Sequence, residues 1–232
     1  MSERLDIDWK RIRKRWLVYF DLLGFSELVK DSNLVSVFYG WELCLNDFRR
    51  NLEKHPELEF ANFSDSFLIY APDDSISSFG KIDNCARWFF DHVLLHGFPL
   101  RGAMACDEFY GDKQNGVFLG KALVTAHEFG EQFNWIGYTL SPSALSRMRQ
   151  LNFPDCPCHF RKSDVPTKSG TLETIALLCG NGKGHAHIRA LEEMRRRSLE
   201  NMAAKQTSPE QIRRVAEKYD NTIQFIKRFE MA

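Results

Sequence analysis

The chain has 232 residues, with 31 Lys plus Arg against 31 Asp plus Glu, so its formal net charge is zero. That length suits one domain with a full core and an appended helical segment. The balanced charge argues against a general nucleic-acid or membrane-surface binder. No apolar run reaches bilayer length and the charged N-terminus carries no apolar signal region, so a soluble, cytoplasmic protein is expected.

Trp9-Lys-Arg-Ile-Arg-Lys-Arg-Trp16 forms a basic leader, read as a solvated turn or edge. A strand over about Trp16 to Leu22 follows, and Leu-Gly-Phe-Ser then opens a helical region from Ser26. Apolar residues at Leu34, Val37, Phe38, Trp41, Leu45 and Phe48 predict a longer helix over 33–52. Pro56 breaks it. Leu58 to Phe63 and Ser66 to Tyr70 read as a hairpin flanking Asp65. Pro72-Asp-Asp-Ser opens a second helix, carried through Ile82, Cys85, Trp88, Phe89 and Val93 to about His96. Leu100 to Cys106 is a central strand interrupted by a glycine, and Asp107 to Asn115 reads as a turn. Val117-Phe-Leu-Gly120 leads into a helix from Lys121.

The order β-α-α-β-β-α-β-β-α predicts an α/β (α+β) ferredoxin-like, palm-type sandwich: an antiparallel sheet with helices on one face. Further short strands are expected over 154–179, and Gly180-Asn-Gly-Lys-Gly184 is read as a turn. From about Ala186 the composition becomes that of charged amphipathic helices, with Ser208 as N-cap and Pro209 at the first helical position. The expected division is 1–185 for a catalytic domain and 186–232 for a helical extension.

Of six cysteines, only Cys156-Pro-Cys158-His159 clusters, and no second pair completes a four-ligand zinc site. Reduced structural thiols are expected.

Two aspartates carry the chemistry. Asp21 ends an apolar run just before a helix start, where free backbone N–H groups suit phosphate. Asp65 lies between two short strands. Neighbouring strands would bring both carboxylates together, as divalent metals carrying a nucleoside triphosphate require.

These residues resemble class III nucleotidyl cyclases. Phe20-Asp-Leu-Leu-Gly-Phe-Ser26 is similar to that family's first metal motif, and Ser64-Asp65 to its second, which normally has glycine before the aspartate. Gly120-Lys-Ala-Leu-Val-Thr-Ala126 takes the place of its glycine-to-helix segment. The resemblance covers roughly residues 16 to 145 and looks closest to bacterial Pycsar pyrimidine cyclases, which implies cyclic UMP or CMP signalling in defence against phage and a downstream cyclic-nucleotide effector. It implies two Mn²⁺ or Mg²⁺ ions held by Asp21, Asp65 and the Leu22 carbonyl. It also implies a head-to-tail homodimer whose sites are completed by the partner. The amides of Leu23, Gly24, Phe25 and Ser26 are expected to cradle the β- and γ-phosphates.

Departures from the family are as informative. Its purine-reading lysine or glutamate corresponds to Ala61, with Asn62 beside it. Its catalytic asparagine and arginine correspond to Val124 and Glu128, which cannot donate to the phosphate. A pyrimidine is therefore the expected substrate, UTP ahead of CTP, with Asn62 as the base-reading candidate and Arg49 and Arg50 as others. Arg101 and Lys121 are the candidates for the missing cation, although Arg101 also reads as a structural ion-pair residue and Lys121 as a solvated one. The C-terminal Leu191, Met194, Leu199 and Ile212 are candidates for added dimer contact. Two other classes compete: an inactive cyclase-like nucleotide-binding regulatory module, and a polymerase-like or diguanylate-forming palm enzyme. The latter lacks support from any Gly-Gly-Asp-Glu-Phe signature.

Overall fold

A computed structural model describes residues 12–31, 34–153, 159–177 and 184–230. The chain begins with β1 (Arg13–Leu22), α1 (Phe25–Asp31), α2 (Leu34–Leu52), β2 (Glu59–Phe63), β3 (Ser66–Tyr70) and α3 (Ile76–Leu95). It continues with β4 (Leu100–Asp112), β5 (Val117–Leu119) and α4 (Lys121–Glu131), which completes the expected order of nine elements. Then come β6 (Gly137–Leu140), α5 (Pro142–Gln150), β7 (Phe160–Thr167), β8 (Gly170–Leu177), α6 (Gly184–Ala204) and α7 (Pro209–Glu230). The strands form one sheet in the order β2-β3-β1-β4-β6-β8-β7, with β5 paired to β4. All pairs are antiparallel except β4 and β6, which run parallel.

β1 is buried on both faces, as its uninterrupted Trp-Leu-Val-Tyr-Phe run requires. Trp16, Val18 and Phe20 join the larger core with Phe79, Phe89 and Phe90 of α3 and Phe48 of α2. Each such aromatic contributes roughly 1.5–3 kcal/mol on burial. Leu17 and Tyr19 face the opposite way, into a cluster with Ala105, Phe109 and the α4 residues Ala122 and Ala126. The expectation of helices on one face is thereby corrected, because α4 covers the second face. Small residues allow it to lie close: a Cβ on Gly130 would stand 3.2 Å from the Gly102 backbone.

Two further boundaries move. The basic leader is not a separate turn from Arg13 onward, because Arg13, Lys14 and Arg15 belong to β1, and 107–112 is strand rather than turn. The reason is mutual: Lys14 pairs with Glu108 and Arg15 with Asp107 across the two strands, and opposite charges in register stabilise such a pair. The tail forms two helices. Ser208 Oγ accepts from the Gln211 amide at 3.4 Å, with Pro209 first in α7. Leu191 and Met194 are buried in the chain's own core, so they are unavailable for dimer contact. Cys44, Cys85 and Cys106 are buried free thiols. Cys156, Cys158 and the glycine-rich 180–183 lie outside the described residues. No described helix is long and apolar enough to cross a membrane.

Candidate active site

Asp21 occupies the penultimate position of β1, in register with Ser66 of β3 on one side and Arg101 of β4 on the other. Side chains alternate along a strand, so Asp21 follows Leu17 and Tyr19 onto the face that α4 covers. Asp65 sits in the two-residue turn between β2 and β3, and its carbonyl oxygen accepts from the Leu22 amide at 2.8 Å. That bond ties the hairpin tip to the end of β1 and brings the two aspartates together. Ser64, before Asp65, has φ 53°, a left-handed conformation that glycine adopts most readily. The backbone demand persists here although the residue is not glycine.

Burial is the main force pushing the Asp21 carboxyl above its ordinary value. Arg101 opposes the rise, while the charges of Asp65 and Glu131 add to it. Excess negative charge at a half-buried carboxylate pair is the condition that a divalent cation relieves, so Asp21 and Asp65 fit a metal site.

Arg101 is buried and heavily engaged. Its Nη2 donates to Asp21 Oδ2 at 3.4 Å and to Glu131 Oε1 at 3.0 Å. Its Nη1 donates to the carbonyl oxygens of Glu131 and Phe133, both at 3.2 Å. These four bonds brace the end of α4 against the β1–β4 pair and hold the Arg101 guanidinium against the Asp21 carboxylate.

The other expected residues are scattered. Gly24 has φ +74° and turns the chain into α1. The Leu23 amide is committed to the Pro99 carbonyl at 2.9 Å, so phosphate would find Gly24, Phe25 and Ser26 more readily. Asn62 pairs in register with Phe67 and is exposed. Alternation puts its side chain on the face opposite Ala61, and so away from the Asp21 face. Lys121 begins α4, exposed and 2.9 Å from Glu108. An 11-residue helix spans ~16 Å, which separates Lys121 from the Glu131 end that meets Arg101. Arg49 and Arg50 pair with Glu42 and Asp47 of their own helix.

Several residues around Asp21 carried no signal in the sequence. Tyr19 Oη and Ser66 Oγ are 2.7 Å apart, and the Tyr19 ring meets His127 edge-on with centroids 5.1 Å apart. Glu131 could have been suspected only from its place one helical turn after His127. Lys218 comes from α7, in the tail where only Leu191, Met194, Leu199 and Ile212 stand out from sequence as candidates for added dimer contact. Burial pushes its ammonium below the usual lysine value, Arg101 and Lys168 add to that, and Asp21 and Glu131 work the other way. α7 is held there by Thr222 Oγ1, which accepts from the Ile136 amide at 2.8 Å, and by Asn221, which donates to the Asn134 carbonyl at 2.7 Å.

The sequence matches no protein-family model and no curated protein. Solved structures do match. The guanylate cyclase domain of RhGC from Catenaria anguillulae, in complex with GTP, is 12% identical with TM-score 0.53, over 73% of this chain and 98% of that one. A dimeric guanylyl cyclase domain from the RhoGC fusion protein of Blastocladiella emersonii is 11% identical with TM-score 0.54, over 72% and 97%. A bacterial light-regulated adenylyl cyclase is 9% identical with TM-score 0.52, over 79% and 98%. The fold is the mixed α/β palm fold of class III nucleotidyl cyclases, with C-terminal helices.

Proposed function

We propose that this chain is a nucleotidyl cyclase that converts UTP to 3′,5′-cyclic UMP and pyrophosphate, with CTP as the second choice of substrate. The observation that carries it is the juxtaposition of Asp21 and Asp65 through the Leu22–Asp65 backbone bond, beside the Gly24 turn. The reaction joins the 3′ oxygen to the α-phosphorus, breaks the α-phosphorus bond to the bridging oxygen and releases the hydroxyl proton. Asp21, Asp65 and the Leu22 carbonyl would hold two divalent ions, Mn²⁺ or Mg²⁺, which when bound would supply acidity to the hydroxyl and charge neutralisation to the leaving group.

The chain's own residues do the rest. Arg101 fixes the Asp21 carboxylate, and the first amides of α1 receive the β- and γ-phosphates. Ala61 offers no charged edge contact for a purine, which favours a pyrimidine. The choice of uracil, and a role in signalling phage infection to a cyclic-nucleotide effector, rest on the family resemblance. Exposed Phe63, Val117, Leu119 and Val124 support a homodimer formed through the side of the sheet carrying β5 and α4. In a head-to-tail pair, Lys121 would serve the partner's site rather than its own.

A second reading is an inert nucleotide-binding module. The engagement of Arg101 by Glu131 and two carbonyl oxygens favours it. One experiment separates them: purified protein is incubated with Mn²⁺ and all four nucleoside triphosphates, and products are identified by mass spectrometry. Cyclic UMP is expected. Preferential cyclic AMP or cyclic GMP defeats the pyrimidine reading, cyclic CMP alone defeats uracil, and bound nucleotide without product supports the inert module.

A further inference from the structure

On the sheet face opposite Asp21, metal-ligating side chains converge between α2 and α3. Cys44 of α2 is fully buried, and His92 and His96 stand one turn apart at the C-terminal end of α3. Residues four apart on a helix share a face, and here both rings turn toward α2. Their centroids are 4.3 Å apart. One donor atom from each of the three residues lies within 4.8 Å of the other two. Metal–ligand bonds of about 2.0–2.3 Å place tetrahedral donors ~3.3–3.8 Å apart, so modest side-chain rotations close this set around an ion.

The surroundings suit a metal. His96 Nδ1 lies 2.8 Å from the His92 carbonyl oxygen. An Nδ1–H donating there leaves the Nε2 lone pair for a ligand, the arrangement that a metal-bound imidazole uses. The His92 ring is stacked on Trp88 at 4.5 Å, and its Nε2 lies 3.2 Å from Asp47 Oδ2. Asp47 follows Cys44 by one turn of α2. Burial, with the charge of Asp47, pushes the Cys44 thiol up to about 12, so a metal must displace its proton to bind it. A thiolate and two imidazoles form a borderline-soft donor set that suits zinc and not the oxygen-seeking Mg²⁺. The thiolate and Asp47 together balance the two charges of the ion.

We infer that Cys44, His92 and His96, with Asp47 beside them, form a zinc site that pins α2 to the end of α3. Exposed His96 leaves the remaining position open to water. The site is separate from the aspartate pair, which offers oxygen alone. It borders the Gly97-Phe98-Pro99 segment, where Phe98 packs on Trp41 of α2 at 5.1 Å and Pro99 holds the Leu23 amide. Occupancy therefore stiffens the support beneath the Gly24 turn.

The test uses full-length protein freed of metal by a chelator and titrated with Co²⁺, in wild type and in the Asp21→Asn/Asp65→Asn double variant. Both are expected to develop the same near-ultraviolet thiolate-to-cobalt charge-transfer band, saturating at one thiolate-bound Co²⁺ per chain, which Zn²⁺ abolishes by displacement. Cys44→Ser should lose the band. His96→Ala, at an exposed position that spares the core, should weaken Zn²⁺ binding about tenfold or more. Absence of the band in the wild-type chain, or unchanged Zn²⁺ affinity in His96→Ala, overturns the site.

Discussion

Arg101 is the cross-strand partner of Asp21, and its guanidinium donates to the Asp21 carboxylate at 3.4 Å while gripping Glu131 at 3.0 Å. Arg101 is buried while Asp21 and Glu131 are partly open to water, so its removal costs chiefly the donors it gives to the Glu131 and Phe133 carbonyls, about 1–3 kcal/mol. Arg101→Met is therefore expected to lower the unfolding free energy by that order in urea titration. Arg101→Lys should recover only part of it, because one ammonium cannot reproduce a planar fork that serves two carboxylates and two carbonyls. A neutral effect of Arg101→Met would show that the brace is not structural.

Asp21 should be a stability liability. Its folded-state carboxyl is raised above the ordinary value, chiefly by burial, so the folded chain holds that proton more tightly than the unfolded chain. Below the ordinary value both states are protonated and nothing is lost. As pH rises through the ordinary value to the raised one, stability falls, and the deficit persists above it. Metal-free Asp21→Asn should thus melt higher than wild type at neutral pH, by about 2–4 °C for an effect on the order of 1 kcal/mol. The difference should vanish at acid pH, and Mn²⁺ should raise the melting temperature of wild type more than that of the variant.

The hairpin tip separates backbone from side-chain roles. The structural contribution of Asp65 is its carbonyl, which receives the Leu22 amide. Asp65→Asn keeps that carbonyl and should shift unfolding by no more than about 0.5 kcal/mol, yet reduce Mn²⁺-dependent turnover to the blank. Ser64→Gly should stabilise by roughly 0.5–1 kcal/mol, because Ser64 holds φ 53° at a strain that glycine escapes. Retained turnover in Asp65→Asn would move the metal ligands elsewhere.

The first nine elements were legible because each carries a local signal: the double-sided apolar run of β1, the helical spacing of α2, and the Ser75 cap of α3, whose hydroxyl accepts from the Ser78 amide. What stayed illegible is non-local. The extension of β4 through Asp107 and Glu108 depends on pairing with Arg15 and Lys14 of β1, distant in sequence. β6 is four residues long and draws its stability from its parallel neighbour β4 and from β8. At the site, Asp21 and Asp65 could be paired from sequence because each borders a strand end. Glu131 and Lys218 could not, because their approach depends on how α4 and α7 dock.

Lys218 supplies the last test, since α7 places a partly desolvated ammonium beside the Arg101–Asp21–Glu131 cluster. Burial and the charges of Arg101 and Lys168 lower its folded-state value below 10.5, so folding opposes its protonation. The cost is fully present below the lowered folded value, shrinks as pH rises through it, and is gone above the ordinary lysine value. Lys218→Met, which keeps much of the buried stem, should therefore be more stable than wild type at neutral pH, with the gap closing as pH approaches 10.5. If the same ammonium balances charge at the proposed triphosphate site, the variant should also turn over UTP more slowly, and Lys218→Arg should restore rate more than Lys218→Met does. Thermal melts across pH, beside single-turnover rates for the three proteins, check both halves. A stability gap that widens with rising pH would contradict the burial of the charge, and equal rates in all three would confine Lys218 to packing.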